Sequence, residues 1–108
     1  MARYAIFFTF KGETVKAMMD KPVDRAAAAT EIVEAAGGRM EAYYLMFGAW
    51  DGMCIAELPD SNAAAAVSLR VSGSGAFAHV ETHELLTADE LVGALQAAGG
   101  LAYSPPGA

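Results

Sequence analysis

Apolar residues in this chain form two kinds of run, short and dense or longer and alanine-rich, and the two kinds take turns. Tyr4-Ala5-Ile6-Phe7-Phe8-Thr9-Phe10 is aromatic and β-branched, too short for a helix, and stops at Lys11-Gly12. That pattern predicts a strand. Its alternate sets, Tyr4, Ile6, Phe8, Phe10 and Ala5, Phe7, Thr9, are both largely apolar, so cover is expected on both faces. Glu13 to Met19 suits a short helical turn or a lid. Pro22 fits the first turn of a helix running to about Ala36, with an apolar stripe from Ala26–Ala29, Ile32, Val33, Ala35 and Ala36. Arg25, Glu31 and Glu34 are expected to face water, and Gly37-Gly38 is a stop.

Arg39 to Met46 and Met53 to Leu58 are the next two strand-like runs, joined by a short glycine-containing link that predicts an antiparallel hairpin. Pro59 ends the second of them. Asp60, Ser61 or Asn62 can cap a helix from Ala63 to about Arg70. After the flexible Ser72-Gly73-Ser74-Gly75 comes a fourth strand, Phe77 to Leu86. Thr87-Ala88-Asp89-Glu90 has the form of a capping box, opening a last helix that Gly99-Gly100 stops. The order β-α-β-β-α-β plus one helix predicts an α+β, ferredoxin-like domain over residues 1–100. It has a four-stranded antiparallel sheet with helices on one face, and 101–108 form a flexible tail.

Such a sheet leaves its other face bare. Hydrophobic residues are 55% of the 108, above the usual ~45–50%, so surplus apolar surface is expected at a subunit contact. Two sheets packed face to face, in a homodimer or a higher homo-oligomer, are the simplest cover. A formal net charge of −6 and seven scattered basic residues argue against nucleic acid. One cysteine, Cys54, forms no internal disulfide and no zinc framework. No apolar stretch has the ~18–20 residues that span a membrane, and the N-terminal run lacks a signal-peptide cleavage site. A cytoplasmic protein is expected.

The most informative residues are Gly48-Ala49-Trp50-Asp51, in the link between the hairpin strands. Gly48 allows a positive φ, and Asp51-Gly52 is a turn-prone pair. Trp50, the only tryptophan, sits on a connection, where so large a side chain is expected to pack against something. A glycine, a variable residue, an aromatic and an aspartate resemble the signature of the GYD family. The resemblance runs from about Ala2 to Leu91. It takes in the opening strand, Pro22…Arg25, the Gly-Gly stop and Glu81-Thr82 to Thr87. It implies a dimeric α/β barrel and names no reaction. Trp50 replaces the usual tyrosine of that signature, and an indole N–H can only donate a hydrogen bond. A proton-transfer role for the aromatic would be lost here; a packing role would survive.

Candidate chemistry is sparse. His79-Val80-Glu81-Thr82-His83 holds both histidines around a carboxylate, all three on one face of a strand. His79 and His83 would then stand ~13 Å apart at ~3.3 Å per residue, so both cannot ligate one ion without a bulge. Either is a candidate base; the plainer reading is a polar stripe on the subunit face. Asp51 is a candidate carboxylate for proton transfer or ligand orientation, or else simply fixes its turn. Trp50, Tyr43, Tyr44 and Phe8 are candidate ligand-binding residues. Tyr43 and Tyr44, being adjacent, are expected to face opposite ways, one to the helices and one to the partner sheet. Cys54 reads as a small buried hydrophobe.

The expectation for function is a small oligomeric binding or assembly protein that holds a small apolar ligand. One alternative is a cofactor-independent isomerase or monooxygenase acting on an aromatic or polyketide-like substrate, with His79 or His83 as base. The other is a metal- or haem-binding protein ligated by a histidine. The sequence names no cofactor.

Overall fold

A computed structural model describes residues 1–107. The chain folds as β1 (Ala2–Phe10), α1 (Gly12–Asp20), α2 (Arg25–Ala35), β2 (Arg39–Leu45), β3 (Gly52–Leu58), α3 (Ser61–Ser72), β4 (Phe77–Leu85) and α4 (Ala88–Gly99). The strands form one antiparallel sheet in the order β2-β3-β1-β4, the α+β ferredoxin-like arrangement that the sequence pattern predicts.

Local chemistry sets the helix ends. The Asp24 side chain caps α2 by accepting from the Ala26 N–H, and Asp60 caps α3 by accepting from the Ala63 N–H. Pro22 therefore lies ahead of α2 rather than in its first turn, because Asp24 carries the acceptor that starts the helix. The helix closes with Gly37, at φ +87°, donating to Glu34 and Gly38 donating to Val33. Thr87 and Glu90 make the full reciprocal capping box of α4.

Strict alternation along β3 divides the sheet into two faces. Gly52, Cys54, Ala56 and Leu58 are buried, while Met53, Ile55 and Glu57 are only partly covered. The inward set meets α2 and α3 in a core of Tyr4, Val33, Ala56, Leu58, Ala64 and Val67. The other face has no layer over it. At one end Arg3 bridges Glu41 at 2.9 Å and Glu57 at 3.1 Å, with Arg39 joining the same carboxylates. The middle of this face carries Ala5, Phe7, Ala42, Tyr44, Met53 and Ile55, as the strand registers place them.

Helix α4 stands apart from this body. None of its residues is buried, and Leu91, Val92 and Leu95 are 49%, 52% and 61% exposed. The chain measures 57 × 34 × 22 Å, with a radius of gyration of 17.3 Å. A compact chain of about 100 residues has about 13 Å. No helix among the described residues is long and apolar enough to cross a membrane.

Candidate functional site

Two places collect the candidate residues, one on each face of the sheet. On the open face, β4 presents His79, Glu81 and His83 in register with Thr9, Phe7 and Ala5 of β1. The Glu81 carboxylate lies between the two imidazoles, with Oε1 3.1 Å from His79 Nε2 and Oε2 3.1 Å from His83 Nε2. When Nε2 carries a proton, each ring donates to its own carboxylate oxygen. Trp50 stacks on His79, centroid to centroid 5.4 Å at 27°, and Phe7 packs against Trp50 at 5.7 Å and edge-on to His83 at 6.0 Å. The indole thus packs on aromatic rings of β1 and β4. Among the described residues no group of three His, Cys, Asp or Glu side chains has a geometry that could hold a metal ion.

Asp51 explains how Trp50 gets there. Its N–H donates to the Phe8 carbonyl at 2.9 Å, its carbonyl accepts from Met46 at 2.8 Å, and its Oδ2 accepts from the Phe10 N–H at 2.8 Å. The residue extends the β1–β3 ladder beyond its last pair, Phe8 with Gly52, where β1 shifts register between Thr9 and Phe10. Gly48, at φ +116°, turns the chain just before. Asp51 is thereby engaged with backbone and makes no hydrogen bond to either histidine.

Contact with the histidines pulls the Glu81 carboxyl below the usual carboxylate range, His79 having the larger effect and His83 the next. A depressed carboxyl adds stability that is present above its unfolded pKa and lost as pH falls through the lower, folded one. In a carboxylate-labelled NMR titration the Glu81 midpoint is expected below ~4.3. It should rise in a His79→Ala variant, and rise further when His83→Ala is added. An unmoved midpoint would mean the bridge does not form in solution.

The second place is a cavity of about 320 Å³ between the sheet and helices α2 and α3. Its wall includes Phe8, Ile32, Tyr43, Cys54, Val67 and Phe77. In that wall Phe8 is stacked on Tyr43 at 5.8 Å and edge-on to Phe77 at 5.6 Å. A Cβ on Gly52 would stand 2.6 Å from Phe8 Cε1, so the bare glycine makes room for that ring. Burial raises the Tyr43 phenol above its ordinary value, opposed by the nearby Arg25 cation. Burial also pushes the Cys54 thiol up to about 11. Its thiolate is then scarce near neutrality, so alkylation by iodoacetamide at pH 8 should be at least about a hundredfold slower in the folded chain than in denaturant. Comparable rates in the two states would contradict the burial.

The four expected ligand-binding residues therefore divide. Phe8 and Tyr43 line the cavity, whereas Trp50 and the 65% exposed Tyr44 belong to the open face. Neither histidine lines the cavity. Arg25 and Arg70 do. Arg25 is not out in water as its helical position suggests, because it opens α2 near Tyr43 and is partly covered there. The cavity brings together α2, α3 and all four strands, and no local spacing in the sequence announces such a meeting.

The profile of a family described as GYD domain matches residues 4–95. Among solved structures the chain is similar to that of FFRP-DM1, at 11% identity and a TM-score of 0.53, over 80% of this chain and 100% of that one. It is similar also to TTHA0845 from Thermus thermophilus, at 16% identity and a TM-score of 0.54, over 82% and 96% of the two chains. MupZ from Pseudomonas fluorescens aligns over 99% of this chain and 97% of its own at 15% identity, but with a TM-score of 0.42 that carries no argument. Likeness at these identities establishes the fold alone. No curated protein matches the chain.

Proposed function

Because the chain belongs to the GYD domain family, whose match covers residues 4–95 and speaks to its fold, we propose a function from its own interior: it is a homodimeric protein that binds a small apolar molecule. The cavity under α2 and α3 carries this reading. Protein interiors are close-packed and leave few voids larger than a water molecule. About 320 Å³ is far larger than such a void and lies at the small end of ligand pockets. Its wall is mostly aromatic and aliphatic, with a few polar side chains, as a site for a mainly apolar ligand requires.

The neutral dye N-phenyl-1-naphthylamine tests it. Saturable binding of one dye per chain is expected, lost when Ala29→Phe or Val71→Phe fills the space from α2 or α3. Both residues line the cavity. Absence of dye binding would end the reading. So would binding that survives in folded forms of both variants.

Assembly as a dimer rests on different residues. An isolated helix shorter than ~12–15 residues is marginal in water, and most helical stability in proteins comes from packing an apolar face. α4 has 12 residues, a full capping box and apolar side chains that its own chain leaves uncovered. The open sheet face is uncovered in the same chain. A second copy related by a two-fold axis covers both surfaces in both subunits at once, since each subunit then offers the same patches to the other. The single unpaired, buried thiol suits a cytoplasmic setting.

A further inference from the structure

Resting on that ligand-binding reading, we propose that the ligand is a small amphipathic monoanion, such as a medium-chain or aromatic carboxylic acid, with its apolar body beside Phe8 and Tyr43 and its anionic head held by Arg25 and Arg70. The charge of the lining runs against that of the chain. Acidic residues outnumber basic ones by 13 to 7 overall, yet the cavity is lined by two arginines and by no aspartate or glutamate. Of these two lining residues, Arg25 is partly covered and Arg70 exposed.

Neither arginine is committed elsewhere. Among the described residues the ion pairs of the chain use Arg3, Arg39, His79 and His83, and neither Arg25 nor Arg70 has a carboxylate within pairing distance. Asp24, next to Arg25, is occupied in capping α2. The other polar side chains of the lining divide in the same way. Ser68 is bonded to Thr82 at 2.6 Å and Ser74 donates to the Val71 carbonyl at 2.7 Å, so both are satisfied inside the protein. The Tyr43 hydroxyl forms no hydrogen bond among the described residues and remains as a third donor. Guanidinium groups present planar donor forks that match a carboxylate, and a charge-assisted pair is about twice as strong as a neutral one. A purely apolar guest would use the wall and leave these three donors idle.

Octanoate and 1-octanol share a tail and differ in the head, which separates the two claims. Each is titrated against the full-length protein loaded with N-phenyl-1-naphthylamine at pH 7.5. Octanoate is expected to displace the dye at a concentration at least about tenfold lower than 1-octanol, and added salt should narrow the gap. In an Arg25→Gln/Arg70→Gln variant the gap should close, while affinity for 1-octanol holds. Equal potency of the two probes on the unsubstituted protein would overturn the anionic head and leave the apolar cavity standing. Failure of the dye itself to bind would overturn both. The decisive comparison is made on the unsubstituted protein, so it does not depend on the double variant folding. A folded double variant that still prefers octanoate tenfold would also refute the assignment to these arginines.

Discussion

Leu58→Ala is expected to lower the free energy of unfolding by roughly 2–5 kcal/mol, the range measured for large-to-small changes in cores. Leu58 and Val33 are the largest side chains with less than 2% exposure, and Leu58 has none. The value within the range depends on how far neighbours can close over the gap. Ala56 and Ala64 are already small and cannot reach further, and Gly38 approaches so closely that a Cβ there would stand 2.8 Å from Leu58 Cδ2. Little relaxation is available, which favours the upper half of the range. A domain of this size holds about 5–15 kcal/mol in total, so the variant should lose a large part of its margin. Urea denaturation reads it as a lower midpoint with an unchanged slope. A loss below about 1 kcal/mol would mean that the α2–α3 layer does not close over β3 as described. Val67→Ala should cost less than Leu58→Ala, since Val67 borders the open cavity as well as the core and has less packing to lose.

The fold was legible because its signals are local. The dense apolar run of β1, the hairpin link between β2 and β3, the Asp60 and Thr87 caps and the Gly37-Gly38 stop each specify a conformation within a few residues, and each appears in the structure. The opposite facing of Tyr43 and Tyr44 follows from the pleat alone. What could not be read was which side chains from distant elements meet. Trp50 crosses to β1 and β4 because Asp51 continues the ladder past Gly52 and takes the Phe10 N–H, a bond spanning 41 positions. That Arg25 and Arg70, from two different helices, line the same cavity depends on how α2 and α3 settle on the sheet. An arginine at a helix start reads equally well as solvated or as lining a cavity, so periodicity places Arg25 in water and packing places it near Tyr43. The capping box of α4 announces a helix but is silent on what the helix touches, so its separation from the body emerges only in three dimensions.

Ile55→Lys is expected to turn the proposed dimer into a monomer, weakening association by at least about a hundredfold, or about 3 kcal/mol at 1.4 kcal/mol per tenfold. Ile55 pairs with Ala5 on β1 and Ala42 on β2, in the apolar middle of the open face. In the isolated chain it is only partly covered, so a lysine stem can lie along the sheet with its ammonium in water, at small cost to folding. Across a two-fold interface the same substitution enters twice, and each added ammonium would have to give up its water on an otherwise apolar patch. The carboxylates of this face already have partners, Glu41 and Glu57 in Arg3 and Arg39, and Glu81 in the two histidines. Sedimentation at micromolar concentration should show a dimer for the unsubstituted chain and a monomer for the variant. A Leu91→Ser/Leu95→Ser variant of α4 should weaken the dimer by less, since it leaves the sheet faces intact. A monomeric unsubstituted chain would remove the sheet-to-sheet interface altogether. Dye binding supplies the internal control. Residue 55 faces away from the cavity and its neighbours Cys54 and Ala56 face inward, so a monomeric Ile55→Lys chain that still binds N-phenyl-1-naphthylamine would separate the two faces functionally: one side of β3 for the partner, the other for the ligand.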